Sequence, residues 1–174
     1  MNNILITNAV RFVVFVFLQV LVFKRISIGS GEWSSYVNLI VYPIFIILLP
    51  LRTPHFLMVL LGFLIGITID SFYDSPGVHA SACVFIGFIR PVILAAMAPQ
   101  GGYNMSYSPT KARFGNTWFI IYASIMLFLH LFFYFSVEAF TFWLIDDIFL
   151  KTLFTFFISM IFIIIYQFSL NPLE

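Results

Sequence analysis

Gly62, Gly66 and Asp70 fall at i, i+4 and i+8 of an apolar stretch that closes on Asp74-Ser75-Pro76-Gly77. On a helix this spacing gives one stripe, drifting by about 80° over the two steps. The glycines offer a groove for close backbone packing, within the chain or against another subunit, where lipid tails leave packing and hydrogen bonds to drive helix association. The Asp70 carboxylate can accept from the orphan amides that open the next helix near Gly77, meet a ligand or partner, or transfer a proton. The structural role is preferred, because Pro76-Gly77 suits a tight turn and the dipole at a helix N-terminus favours an anion.

Other chemistry-bearing residues are sparse. Arg90-Pro91 interrupts an apolar run, and the guanidinium must either snorkel to the cytoplasmic surface, the preferred reading, or find a buried acceptor. His55, His79 and His130 lie on different segments without the i, i+4 pairing of a helix-borne zinc site, so they read as unrelated histidines and no metal or other cofactor is expected. Asp146-Asp147 lacks the further acids a magnesium site would need and reads as a helix start. Thr152, Thr155 and Ser159 follow i, i+3, i+7 and suit interhelical hydrogen bonds. Cys83 reads as a small buried residue. No nucleophile elbow or phosphate-cradling glycine loop is present.

The elements that must position these residues follow from composition. Charged residues make up 9% of the 174 and apolar ones 62%, against roughly a quarter charged in a soluble domain. The chain reads as one membrane-embedded domain over residues 1–174, begun by a retained helix rather than a signal peptide. A net charge of +1 offers no footprint for nucleic acid.

Polar punctuation predicts six spans, near 4–23, 36–51, 55–69, 78–97, 114–135 and 149–170. The second and third are short, and a re-entrant hairpin is the alternative for that pair. With the N-terminus cytoplasmic, Arg52, Lys111 and Arg113 fall inside and Lys24, Arg25 and Lys151 outside, while Arg11 and Arg90 lean the count inward. Both termini are therefore placed inside, and Glu32, Asp70, Asp74, Glu138, Asp146 and Asp147 outside. Trp33, Tyr36, Trp118 and Trp143 sit near span ends as interfacial anchors. Phe154, Phe156 and Phe157 are expected to face lipid or to pack between helices.

The glycine and aspartate stripe, followed by Ser75-Pro76-Gly77, resembles the Gly-Leu-x-x-Asp, short loop, Leu-Gly pattern of the MreD family of bacterial rod-shape-determining membrane proteins. Size and six-span layout extend the resemblance over nearly the whole chain, which departs from the pattern at Ile67 and Val78. The resemblance implies an all-α six-transmembrane-helix bundle, similar to the substrate-binding subunits of energy-coupling-factor transporters. It also implies a non-enzymatic inner-membrane component of the elongation machinery that binds a single-span MreC-like protein and helps couple the MreB cytoskeleton to lateral peptidoglycan synthesis. Gly62, Gly66, Asp70 and Gly77 would then serve helix packing or the partner interface.

A transporter subunit is the competing reading. It would carry a polar pocket near the outer face and an Ala-xxx-Ala contact on its first helix, where this chain has Val13-Val14-Phe15-Val16-Phe17-Leu18. An intramembrane aspartyl protease would need two facing aspartates within spans, and Asp70 alone lies near membrane depth.

Overall fold

The computed structural model describes residues 2–25 and 37–170, which form helices joined by turns and irregular stretches, with no strand among them. Helix α1 (Asn2–Phe17) widens into a π-turn at Leu18–Val22 and tightens into a 3-10 turn at Phe23–Arg25. Then come α2 (Ile44–Ile47), α3 (His55–Tyr73), α4 (Val78–Ala96), α5 (Lys111–Phe114), α6 (Asn116–Ala139), a 3-10 turn at Phe142–Leu144, and α7 (Ile145–Leu170). Five helices among the described residues are long and apolar enough to cross a membrane: Ile6–Arg25, His55–Tyr73, Val78–Ala96, Asn116–Ala139 and Ile145–Ser169. That is the mark of a multi-pass membrane protein.

Local chemistry sets the helix bounds. Pro54 is extended (ψ 143°), and α3 starts directly after it. Asp74 stops α3 in the left-handed region at φ 53°, which aspartate tolerates better than most residues. Gly77 opens α4 at φ 87°, a value glycine reaches without penalty. Helix α4 runs on through Pro91.

Contacts fix the order of the layers. Arg90 reaches Tyr122 and Phe85 stacks on Phe133, so α4 and α6 are antiparallel. Phe128 meets Phe156 and Glu138 meets Lys151, so α6 and α7 are antiparallel too. Phe15 meets Tyr166 and Phe23 meets Phe162, which runs α1 antiparallel to α7. The bundle thus has an Asp70 end and an Arg52 end.

The predicted second span is corrected. Among its described residues only Ile44–Ile47 is α-helical, and the expectation of a helix over 36–51 fails at Pro43. That residue lacks the amide a helix needs and its ring clashes with the carbonyl four residues earlier. What forms is a buried, irregular segment. From Leu39 to Pro50 every residue is buried, and Tyr42, Ile44, Ile46, Ile47 and Leu48 are wholly inaccessible. It runs from the Asp70 end, where Asn38 and Ile40 meet α7, to the Arg52 end, where the Leu51 amide donates to the Tyr107 carbonyl at 3.0 Å. The alternative of a re-entrant hairpin with the third span is not seen, since α3 alone is 19 residues long.

Trp118 is half-buried, donates its indole N–H to the Met97 carbonyl at 3.1 Å and stacks on Tyr122. Trp143 is exposed, while Trp33, Tyr36 and Glu32 lie outside the described residues.

Candidate functional site

The candidate site is the seam of polar side chains that holds the threaded segment. Inside a membrane each unsatisfied backbone group costs several kcal/mol, so irregular backbone persists only where protein or a wet cavity supplies partners. The partners here come from four long helices. Gln19 sits in the π-turn of α1. Its Nε2 donates to the Leu39 carbonyl (2.9 Å) and its Oε1 accepts from the Val41 amide (2.9 Å). From α7, Thr155 Oγ1 accepts from the Asn38 amide (3.2 Å) and Ser159 Oγ from the Ile40 amide (3.0 Å). Thr152, third in the same predicted stripe, donates to Ile148 of its own helix (2.7 Å).

At the other end Arg90 does not snorkel. It is wholly buried, its Nε donates to Tyr122 Oη at 2.8 Å, its Nη1 to Met58 Sδ at 3.3 Å, and its Nη2 to the Leu49 carbonyl. Tyr122 passes the contact on by donating to the Ile47 carbonyl at 3.2 Å. The backbone geometry explains the choice, since the carbonyls of a broken turn at Leu49 give the guanidinium an acceptor that a regular span would have withheld. Tyr103, on the loop after α4, donates to the Leu94 carbonyl at 2.9 Å; burial pushes its phenol pKa up and keeps it a donor.

Two histidines that read as unrelated in the sequence meet across the segment. Tyr42 Oη lies 2.8 Å from His79 Nδ1 and 2.9 Å from His130 Nε2. A phenol has one proton, so it donates to one ring and accepts from the other. With both imidazoles neutral, the tautomers are therefore coupled: both rings carry the proton on Nε2, or both on Nδ1. His55 stands apart, tilted against Phe88. No group of three metal-ligating side chains occurs among the described residues.

The motif around Asp70 closes a helical joint. Its carboxylate accepts from the amides of Gly77 (3.1 Å), His79 (2.9 Å) and Ala80 (2.9 Å) and from Ser75 Oγ (3.1 Å). These are the orphan donors that open α4, and Gly77 at the N-cap has no side chain to satisfy them. Asp70, reaching over from α3, serves as the cap. The stripe that precedes it is consumed inside the chain: a Cβ on Gly66 would stand 2.3 Å from Ala80 Cα, and one on Gly62 2.8 Å from the Cys83 carbonyl oxygen. Gly62 and Gly66 thus serve packing of α3 on α4, and their faces are not open to a partner. Gly77 meets nothing within 4 Å, so its need for glycine is conformational. Cys83 is buried beneath the same contact. Asp146 and Asp147 lie in the first turn of α7.

A polar cavity of about 200 Å³ opens at the Asp70 end, lined in part by Gln19, Lys24, Asn38, His79, Tyr134 and Glu138. His79 is 1% exposed and its Nε2 has no hydrogen-bond partner. Sequence reasoning missed Gln19, Tyr42 and Tyr122. Pro43 and Pro50 were the available signal, because a proline inside a presumed span demands partners for freed backbone groups. No family model, curated protein or solved structure matches this chain.

Proposed function

We propose that the chain is a non-enzymatic scaffold of a bacterial inner membrane, of the MreD type. In this role it binds a single-span MreC-like protein and links the MreB cytoskeleton to peptidoglycan synthases of the side wall. The observation that carries the reading is where the buried polar side chains spend their bonds. Gln19, Asp70, Arg90, Thr155 and Ser159 all hold the chain's own main chain. Side chains able to do chemistry are used to fix a shape. Five long helices, and a threaded segment that runs from one end of the bundle to the other, support the reading, which takes the acid-rich Asp70 end as the outer one. Crosslinking in native membranes, followed by purification of the full chain and identification of what it carries, tests the reading. A single-span partner is expected, and rod-shaped cells are expected to round up on depletion. A chain that brings down no membrane protein refutes it.

The polar cavity favours a second reading, a substrate-binding subunit of a small-molecule transporter, because His79 Nε2 lies unpartnered beside it. Against this, ligand pockets usually span about 300–1,000 Å³. Co-purification of an ATPase module or of a small molecule decides for that reading.

A further inference from the structure

Arg90 is a buried cation that meets no anion among the described residues. Its three acceptors are a phenol, a thioether and a carbonyl, all neutral. The described acids are far away along the helices. Arg90 is level with Met58 on α3 and Tyr122 on α6, while Asp70 lies twelve residues beyond Met58 and Glu138 sixteen beyond Tyr122. At 1.5 Å per residue those separations are about 18 and 24 Å. Asp74, Asp146 and Asp147 belong to the same remote end. A charge removed from water and left unpaired is costly, whereas an oxyanion in good hydrogen-bonding geometry offsets part of that cost.

A cavity of about 380 Å³ lies beside Arg90, lined by Met58, Arg90, Pro91, Leu94, Ala95 and Tyr103 among others, and the Arg90 side chain is itself shut off from it at 0% exposure. Its wall is mostly apolar, and its mouth reaches the surface at the exposed Ala95, Ala98 and Met105. Met58 lines it too and supplies the weakest of the three acceptors. The guanidinium has five N–H donors, three of them committed here, so two remain. The cavity thus has a buried cation beside it, with Met58 between its lining and that cation, apolar walls of ligand size, and an opening on the surface of a membrane bundle.

We propose that this cavity binds the anionic head of an amphiphile, a phosphodiester or carboxylate carrying an acyl chain. The oxyanion takes the place of Met58 Sδ on Nη1, the flexible thioether swinging aside, and uses the free N–H donors of the guanidinium. The chain lies along Pro91, Leu94 and Ala95 toward the bilayer. Arg52, Lys111 and Arg113 belong to the same end, so the field there draws anionic lipids.

The test is native mass spectrometry of the full chain released from nanodiscs of equal phosphatidylglycerol and phosphatidylcholine. Both lipids carry a phosphodiester, but the choline of phosphatidylcholine brings a second cation to a site that already holds one, and that difference of one net charge predicts roughly a ten-fold or greater preference for phosphatidylglycerol among retained lipids. Ala95→Trp fills the cavity from its mouth without touching the bonds of Arg90, and is expected to abolish the preference at unchanged thermal stability. Arg90→Gln is expected to abolish it as well. Oleate added to the nanodiscs is expected to displace phosphatidylglycerol, and inorganic phosphate at equal concentration is not. Retained lipid that mirrors the bulk mixture overturns the proposal, as does an undiminished preference in Ala95→Trp. Displacement by inorganic phosphate as effective as that by oleate overturns the assignment of an amphiphile.

Discussion

Replacing Asp70 tests how much of the helical joint rests on one carboxylate. In Asp70→Ala the amides of Gly77, His79 and Ala80 lose their acceptor together. Gly77 and Ser75 are half-buried, so water can recover part of that loss, but His79 and Ala80 are buried. An unsatisfied buried donor costs about 1–3 kcal/mol, and loss of an N-cap about 1–2. One stranded buried amide plus the lost cap gives about 2–5 kcal/mol, which corresponds to a fall of roughly 10 °C in melting temperature for a chain of this length. Asp70→Asn is the sharper variant. Its amide keeps one acceptor oxygen and turns an NH₂ toward amides that are themselves donors, so it is expected to fall within about 1 kcal/mol of alanine. Thermal unfolding in detergent measures the loss. Amide exchange localises it, with faster exchange expected at residues 77–80 and unchanged exchange near Met58. An asparagine variant as stable as the parent, or an alanine variant losing less than about 1 kcal/mol, would refute the capping role.

Gly66→Ala is expected to cost about 3 kcal/mol, because its Cβ meets backbone rather than a movable side chain, whereas Gly77→Ala pays only the left-handed φ, about 1 kcal/mol. Chemical denaturation of the two variants checks that order, and equal losses would count against it. Ser159→Ala strands the buried Ile40 amide and is expected to lose about 1–3 kcal/mol, while Thr155→Val, whose partner Asn38 is exposed to water, and Thr152→Val, whose bond returns to its own helix, are each expected to lose about 1 kcal/mol or less. The same melts rank these three. Nitrogen-15 spectra of the His79 and His130 rings are expected to report the same neutral tautomer for both and to lose that correlation in Tyr42→Phe; opposite tautomers in the parent would break the proposed sharing of one phenol proton.

The joint at Asp70 was legible in the sequence because every part of it is local. Glycine spacing, the carboxylate and Pro76-Gly77 lie within sixteen residues, and helical periodicity alone puts them on one face. The long helices were legible for the same reason, since apolar length sets where a crossing begins and ends. The fate of residues 37–51 was not. Hydropathy counts side chains and is blind to whether backbone amides close on themselves, so an apolar segment broken at Pro43 scores like a helix. Tyr42, His79 and His130 share no spacing that periodicity can detect, and neither do Leu49 and Arg90. Their meeting depends on how α4 and α6 are arranged around the segment. Arg90 read as a snorkelling residue because its acceptor is a carbonyl that exists only once the segment is irregular.

The threaded segment also explains why so oily a chain carries its polar residues where it does. In lipid, leucine and phenylalanine do little to choose one helix neighbour over another, because the tails are equally apolar. Hydrogen bonds do choose. Gln19 of α1, Arg90 of α4, Tyr122 of α6 and Thr155 and Ser159 of α7 each reach a different point of one stretch of main chain. Moving any of these helices away leaves a donor or acceptor unpaired in a medium without water, so the segment fixes the positions of four helices at once. Helical regularity is lost over a dozen residues, and the lost bonds are remade as contacts between elements. A bundle clasped in this way holds its outer faces fixed, which is what the proposed scaffold role requires of the surface that meets a partner helix.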